Sequence, residues 1–469
     1  MTNPTPILSH PDFDKWFATF RQMQDPEADK VALALVASPY GHQAYQILAS
    51  ISKNSDTIDE RKFADLTQRM QKSTDSGEHA NIVTILNNYF ADTSHFNFTD
   101  AQKQRIKNAC FFFNNYAIEG TMILAVRSLL KQYAAYNSTQ VLGSTRMLPQ
   151  YPHRRILATM DFVLDVMDPN AFEPNGSAIK SIQKLRLVHA MIRARINLKS
   201  AVEEKKISIK EDVEISTDFW NSNVWQKEKW GAPINQQDML FAINTFSQEV
   251  IDGIISSGEK PDDEVLNDYY YTWHLYGRAL GLHDEINPTT YAEGKALQEK
   301  IYQVQFYPKN ADGTPFINPI APALSAPLVS FIKEFSGLPK ISYVYAIIRR
   351  YNSDIDETFF ENVHKVPMQE KSKFFLILMV IADNLIDFVF ATWSYIRYQK
   401  SRANCPELAA RMHALMVKVV SSQATWGTEH FTIADGFGDA EAKKDLEALR
   451  AKGRPSIFKI VIDTFLRGK

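Results

Sequence analysis

The chain has 469 residues, of which 45% are hydrophobic and 12% aromatic, with a formal net charge of -2. This composition is typical of a globular protein with a large apolar core. Because 52 basic residues face 54 acidic ones, the chain lacks the net basic field of a nucleic-acid-binding protein. With two cysteines, Cys110 and Cys405, it offers neither a disulfide framework nor a cysteine-based zinc site. The N-terminus resembles no secretory signal, so we expect a cytoplasmic protein.

Periodic helical segments recur along the chain and strand signals are scarce, so we predict an all-α fold. Residues 1 to about 98 hold amphipathic segments separated by polar turns, which predicts helices that wrap around the core. A long, buried helix is predicted over residues 99 to 145, with Thr99 as its N-cap and a break near Gly120. Prolines and turn residues mark a boundary at 307 to 325. The predicted regions, which we expect to form one compact unit, are 1–98, a core at 99–306 and a C-terminal helical region at 307–469.

Four more helices are predicted between these limits, at 153–167, 180–200, 235–256 and 265–281. Asn235 or Asp238 is suited to begin the third of them, and Gly281 to end the fourth.

Residues 374 to 396 form an apolar segment, FFLILMVIADNLIDFVFATWSYI, that has the roughly 20 residues a bilayer core requires. Asp383, Asn384 and Asp387 interrupt its middle, and an aspartate at the centre of a membrane span costs about 2.5 to 3.5 kcal/mol. We therefore favour a helix buried in protein, and membrane association through residues 374–396 stays open as the alternative.

One histidine lies on the apolar face of the predicted helix 180–200, in the sequence KLRLVHAMIRARI. His189 is flanked at helical spacing by Arg186 and Arg193, whose charged ends can lean over the same face. An imidazole can be an axial ligand to a haem iron, and guanidinium groups can pair with the carboxylates of a porphyrin. The alternative, a histidine satisfied within the core, stays open at this point.

Three segments in order give the sequence a resemblance to a known family. They are HRRILATMDFVLDVMD (153–168) with His189 downstream, WGAPINQQDMLFAINTFSQEVIDGI (230–254) and YYYTWHLYGRALGLHDEINP (269–288). Their order and spacing resemble the rubber oxygenases, or latex clearing proteins, and the related fungal ER-bound oxygenases. The resemblance implies a globin-like helical core that binds haem b. It also implies that dioxygen and an apolar, unsaturated small molecule or polyisoprenoid are the reactants.

The resemblance also implies roles for individual residues. His189 matches the proximal ligand of the iron, and Arg155 and Thr159 match an arginine and a threonine that face the haem. The arginine would stabilise a propionate or bound oxygen, and the threonine hydroxyl would donate a hydrogen bond to dioxygen. From the residues alone, a surface arginine and a threonine bonded to its own helix are the alternatives.

Two departures from the family pattern bear on the chemistry. Ala158 stands where the rubber oxygenases have a lysine that caps the iron, so no side chain there can ligate it. The family also places a carboxylate base upstream of the arginine, whereas this chain has no Asp or Glu between Glu119 and Asp161. Glu119 is the nearest candidate for a base. It is equally suited to be a structural partner for a buried arginine such as Arg127.

The resemblance thus implies a haem b-dependent oxidoreductase that uses dioxygen to attack a carbon-carbon double bond of an isoprenoid or similarly apolar substrate. The second hypothesis is a haem-binding sensor, carrier or peroxidase-like protein without cleavage activity, which the two departures favour. The third is a helical scaffold without haem.

Overall fold

The computed structural model describes residues 7–36, 48, 51–58, 61, 76–144, 152–203, 225–305, 318, 320–336, 338, 340–368, 371–399, 402 and 405–424. These residues form helices and their connections, and no β-strand occurs among them. The prediction of an all-α fold is therefore confirmed for the part of the chain that the structure describes.

The α-helices follow one another with mostly short connections. In chain order they are α1 Phe13–Thr19, α2 Pro26–Val36, α3 Ser76–Ala91, α4 Asp100–Asn115, α5 Ala117–Ile123, α6 Leu129–Ala134, α7 Tyr136–Ser144, α8 Pro152–Val166, α9 Ala178–Glu203, α10 Lys227–Trp230, α11 Gln236–Phe246, α12 Gln248–Ser256, α13 Asp263–Ala279, α14 Tyr291–Gln305, α15 Ile320–Ser336, α16 Ile341–Tyr351, α17 Glu357–His364, α18 Lys371–Tyr398 and α19 Pro406–Ala424.

The main hydrophobic core is built around α4 and α13, which pack along each other. Aromatic rings fill the contact, with Phe112 and Tyr269 at a centroid distance of 5.4 Å. The same core includes residues of α15, α16 and α19, which follow the predicted boundary at 307–325. Most of that boundary lies outside the described residues. Helices before and after it therefore share one core.

A second, smaller core joins the N-terminal helices to α9. Ala28, Ala32 and Leu35 of α2 pack with Ala190 and Met191 of α9, and residues of α3 complete the cluster. The alanines allow the two helices to approach closely, and all five side chains are buried. One side of α9 is thereby covered by the N-terminal region.

The predicted long helix over 99–145 is divided into segments. Thr99 begins it as predicted, since its side chain accepts from the backbone N–H of Gln102 in a complete capping box. The break falls at Tyr116 instead of Gly120, because Tyr116 leaves helical geometry at φ -114° and ψ 30°. After α5 the backbone widens into a π-helical turn over Leu124–Ser128. The π-turn brings Arg127 into the buried interior.

The predicted cap residues in the middle of the chain are confirmed. The Asn235 side chain accepts from the backbone N–H of Asp238 and so begins α11. The predicted helix over 235–256 is two helices, which meet at Ser247, where φ is -101° and ψ is -75°. Gly281 ends α13 at φ 92°, and the N–H of Leu282 donates to the carbonyl of Gly277.

The predicted burial of segment 374–396 is wrong. The segment is helical, as part of α18, but it packs mainly along α16 by one side and exposes nine large hydrophobic residues on another. Apolar residues occur all round this helix, so the sequence pattern does not reveal which side the fold leaves open. Among the described residues, no single helix is long and apolar enough to cross a membrane, whereas Asp100–Asn115 and Ala117–Ala134, bent by 85°, fit those two criteria as a pair.

A buried histidine joins α15 to α17. His364 Nδ1 lies 2.7 Å from Ser325 Oγ, and the imidazole packs edge-on against Phe359. Burial lowers the pKa of His364 from its usual 6.5 to about 3. The imidazole is therefore neutral in the folded protein at mildly acidic pH, where it would be charged in the unfolded chain.

This difference in pKa predicts acid destabilisation. Below pH 6.5 the unfolded chain takes up a proton at His364 that the folded protein does not, so stability falls as the pH falls and the loss is complete near pH 3. The contribution is about 2 kcal/mol at pH 5. Urea unfolding of wild type and His364→Asn at pH 7 and pH 5 measures it. Asparagine does not titrate, and its amide N–H can donate to Ser325 Oγ, whose own proton is donated to the carbonyl of Ala321. Equal pH dependence of the two proteins would contradict the assignment.

Candidate functional site

The predicted site residues centre on the pair of helices α8 and α9. The end of α8 is tied to the start of α9 by Asp165, which accepts hydrogen bonds from the hydroxyls of Ser177, at 2.8 Å, and Ser181. Burial raises the pKa of Asp165, and the two hydroxyl donors oppose this shift. These bonds hold α8 and α9 side by side, with Thr159 on one helix and His189 on the other.

His189 is partly exposed to solvent, whereas the residues directly before and after it in α9 are buried. Its neighbours Val188 and Ala190 are 8% and 0% exposed, whereas His189 keeps a partly exposed side chain. Leu185 and Ile192, four residues before and three after it, are also partly exposed. At helical spacing these three side chains share one face of α9. The histidine is thus accessible from an apolar face of a buried helix.

Arg186, on the side of α9 toward α2, is held by carboxylates. Its Nε and Nη2 donate to the two oxygens of Asp25 at 2.6 and 2.8 Å, and Nη2 also contacts Glu27 at 2.9 Å. Burial would lower the pKa of Arg186, but the hydrogen bonds and charge of Asp25 raise it overall. This geometry gives Arg186 a structural role, and its predicted role in holding a cofactor carboxylate stays a prediction.

The guanidinium of Arg193, one turn after His189, uses only part of its hydrogen-bonding capacity. Its Nε donates to Asp29 of α2 at 2.6 Å, with the side chain 3% exposed. Its Nη2 is buried and has no hydrogen-bond partner among the residues the structure describes. Burial raises the pKa of Asp29, and Arg193 opposes the shift. A buried guanidinium nitrogen without a partner costs free energy, which an anionic ligand would recover.

On α8 the structure describes Thr159 and Ala158 but not the side chain of Arg155. The backbone of Arg155 is helical, so Arg155 and Thr159 keep the predicted i, i+4 relation. Ala158 and Thr159 are both partly exposed. The predicted roles of Arg155 and Thr159 toward a haem stay predictions.

Glu119 of α5 forms an ion pair with Arg402, whose Nη2 lies 2.5 Å from the carboxylate oxygen Oε1. Arg402 also donates from Nε to the carbonyl of Asn115 at 3.1 Å and lies over the ring of Tyr116. Glu119 is therefore the structural partner of a buried arginine, although not of Arg127. Its second oxygen, Oε2, has no hydrogen-bond partner in the described part of the chain. Its predicted role as a base stays a prediction.

Sequence reasoning missed a buried charge cluster formed by Arg127, Lys131, Glu249 and Asp354. Arg127 Nε and Lys131 Nζ both donate to Glu249 Oε2, at 2.8 and 2.6 Å. The other end of Arg127 forms two hydrogen bonds with Asp354, at 2.5 and 2.8 Å. Burial lowers the pKa of Lys131, and Glu249 opposes this shift. The signal in the sequence was the i, i+4 pair of cations in the apolar stretch 120–134.

Two other parts of the sequence motifs are structural here. Trp230 and Trp273 are buried, as their apolar area predicts. His274 is buried too, with Nδ1 3.1 Å from the carbonyl oxygen of Asn287, and burial lowers its pKa. Within the described residues, no group of three or more His, Cys, Asp or Glu side chains is arranged to hold a metal ion.

Comparison with known proteins agrees with the sequence motifs. Residues 115–332 match the family model described as "ER-bound oxygenase mpaB/B'/Rubber oxygenase, catalytic domain". The fold is similar to that in "Structure of Latex Clearing Protein LCP in the closed state", with a TM-score of 0.54 and 16% sequence identity over 86% of this chain and 91% of that one. No curated protein matches the chain by sequence. The matched residues contain α8 and α9 with His189, Arg155 and Thr159, as well as Glu119 and most of the charge cluster. The predicted resemblance is thus confirmed over residues 115–332, which match the catalytic-domain model of the ER-bound oxygenases and rubber oxygenases.

Proposed function

We propose that this chain is a haem b-dependent oxidoreductase that uses dioxygen to attack a carbon-carbon double bond of an isoprenoid or similarly apolar substrate. The observation that carries the proposal is the pairing of two features on α9. His189 stays accessible between buried neighbours, and one turn away Arg193 holds a buried Nη2 that has no partner in the described part of the chain.

These two residues suit two groups of a haem, the iron and a propionate. An imidazole nitrogen of His189 would bind the iron, and Nη2 of Arg193 would pair with a propionate carboxylate. Arg186 fits less well, because its donors already bind Asp25 and Glu27. When bound, haem b supplies an iron that binds and activates dioxygen.

The chain's own residues would orient the reactants. The hydroxyl of Thr159 offers one hydrogen-bond donor for dioxygen, and the apolar, partly exposed Leu157, Leu185 and Ile192 offer contact area for an alkene. Ala158 offers no group that competes for the iron. Arg155, four residues before Thr159 on the same helix, would add a positive charge on that side.

A second function, haem binding without double-bond cleavage, is favoured by one specific observation. Glu119, the nearest carboxylate upstream of α8 in the sequence, forms an ion pair with Arg402 at 2.5 Å. To act as a base, Glu119 would have to give up its ion pair with Arg402 when it takes a proton. A sensor, carrier or peroxidase-like protein needs no such base.

Two measurements separate the hypotheses. A pyridine haemochrome assay on protein purified from haem-supplemented cells tests for bound haem b, and its failure leaves the scaffold hypothesis. Oxygen uptake by the haem-loaded protein with polyisoprenes, terpenoids and unsaturated fatty acids tests for oxygenase activity. Haem without oxygen uptake for any of these substrates supports the second function.

Thr159→Val is expected to lower oxygen-dependent turnover at least tenfold, or about 1.4 kcal/mol, because valine keeps the shape and removes the donor. The haem content should be unchanged. Thr84→Val is the matched control, since the Thr84 hydroxyl donates only to its own helix, at the carbonyl of Ala80, 2.7 Å away. Turnover that is equal in wild type and Thr159→Val would remove Thr159 from the reaction.

A further inference from the structure

Helix α18 presents a continuous apolar stripe to solvent. Of the fourteen large hydrophobic residues that are exposed in the described part of the chain, nine lie on this one helix. They are Phe374, Ile377, Leu378, Ile381, Leu385, Phe388, Val389, Tyr395 and Ile396. Their exposed fractions run from 47% to 75%. Helix α18 also lies outside the residues 115–332 that match the family model, so the match does not account for this surface.

The stripe has the geometry of a helix face. Its residues recur at spacings of three and four, which places them on about one third of the circumference, and from Phe374 to Ile396 they extend about 33 Å along the axis. Another side of α18 is committed to the protein: Phe375 packs against Tyr343 of α16 at a centroid distance of 4.0 Å, and Ser394 is fully buried. The helix can therefore offer only one side to a partner.

The exposed area is larger than a surface of a monomeric soluble protein normally shows. Nine large side chains that are about half to three quarters exposed present roughly 1,000 Å² of contiguous apolar surface. The largest patch on a typical monomer is about 300 to 600 Å². Leaving it in water forfeits hydrophobic free energy, so the stripe indicates a surface that a partner covers.

The charges at the ends of the stripe identify the partner. Lys373 precedes the stripe and Arg397 follows it, and both are exposed. A second copy of α18 on this face would bring cation against cation, whether the two helices ran parallel or antiparallel. Anionic phospholipid headgroups complement both ends, and the aliphatic stems of Lys and Arg suit the bilayer interface.

We propose that α18 lies in the plane of an anionic lipid bilayer, with the stripe inserted among the acyl chains and the rest of the protein above the headgroups. At 3.6 residues per turn, Asp383 and Asp387 occupy register positions about half a turn from the centre of the stripe. An in-plane helix therefore needs neither aspartate in the hydrocarbon. The proposal is independent of haem and of the oxygenase activity.

Co-sedimentation of the full chain with vesicles tests the proposal. We expect binding to vesicles of phosphatidylcholine mixed with phosphatidylglycerol, weaker binding to phosphatidylcholine alone, and a loss of this difference in high salt. The double variant Ile381→Glu and Leu385→Glu should reduce the bound fraction at least tenfold. Because these side chains are 61% and 62% exposed, the fold and its thermal midpoint should be retained. Leu33→Glu, which changes a residue of α2 that is 54% exposed, is the matched control and should bind like wild type.

A second pair of substitutions tests the charges alone. Lys373→Glu with Arg397→Glu should remove the preference for phosphatidylglycerol and keep the weaker binding to phosphatidylcholine. Two results would overturn the proposal. One is the absence of co-sedimentation of wild type with either kind of vesicle. The other is a dimer, detected by light scattering, that Ile381→Glu and Leu385→Glu convert to monomers, since that outcome assigns the stripe to a second copy of the chain.

Discussion

Replacing His189 with alanine is expected to abolish the retention of haem b while leaving the far-UV circular dichroism spectrum nearly unchanged. The imidazole of His189 would supply the bond from the protein to the iron, so its loss should leave less than a tenth of the wild-type haem content after gel filtration. Because His189 is partly exposed, removing it creates little cavity in the core. The Soret band and the pyridine haemochrome of the purified variant measure the effect.

Two companion variants show that the effect belongs to this imidazole. His189→Gly should recover a Soret band when imidazole is added to the buffer, which a merely unfolded protein would not do. His95→Gln changes a partly exposed histidine near Glu27 and should keep its haem. An unchanged Soret spectrum in His189→Ala would assign the iron to another of the 11 histidines.

The helices and several of their ends could be predicted from the sequence because those signals are local. Thr99 with Gln102 three residues later, Asn235 before α11 and Gly281 after α13 all act within one helical turn, and all three begin or end a helix as predicted. The break at Tyr116 lies four residues before the predicted position at Gly120, and Phe113 and Tyr116 both belong to the main core, whose packing a local sequence signal does not report.

The partners of the predicted site residues could not be predicted, because they lie far away along the chain. Arg186 and Arg193 bind carboxylates of the N-terminal region, about 160 residues upstream, and Glu119 binds Arg402, which lies 283 residues downstream. A single sequence shows that a charge is present in an apolar segment, but not which opposite charge the fold brings to it. For the same reason, a single sequence could not show which side of α18 the fold leaves exposed to solvent.

The largest effect on stability is expected at the buried charge cluster. Arg127 and Glu249 are each 1% exposed, and their side chains are joined at 2.8 Å. Within the described residues, Arg127→Met leaves Glu249 with Lys131 as its cation. The variant should lower the free energy of unfolding by about 3 to 5 kcal/mol. Urea unfolding followed by circular dichroism measures the change. Arg349→Met is the control, because its partner Glu357 is 43% exposed and can regain water, so a smaller loss is expected there.

A double-mutant cycle with Glu249→Gln separates the ion pair from the packing of the long side chains. If the charge of Glu249 is what Arg127 compensates, neutralising it should restore part of the loss, and the cycle should give a coupling free energy of about 1 to 3 kcal/mol. Additive losses would instead assign the stabilisation to the other carboxylates at this guanidinium. These are Asp354, which accepts two hydrogen bonds and is 48% exposed, and Asp252, whose Oδ2 lies 3.7 Å from Nη2 of Arg127. The coupled outcome is expected because the attraction between charges is strongest where water is excluded, and in this cluster only Arg127 and Glu249 are both 1% exposed.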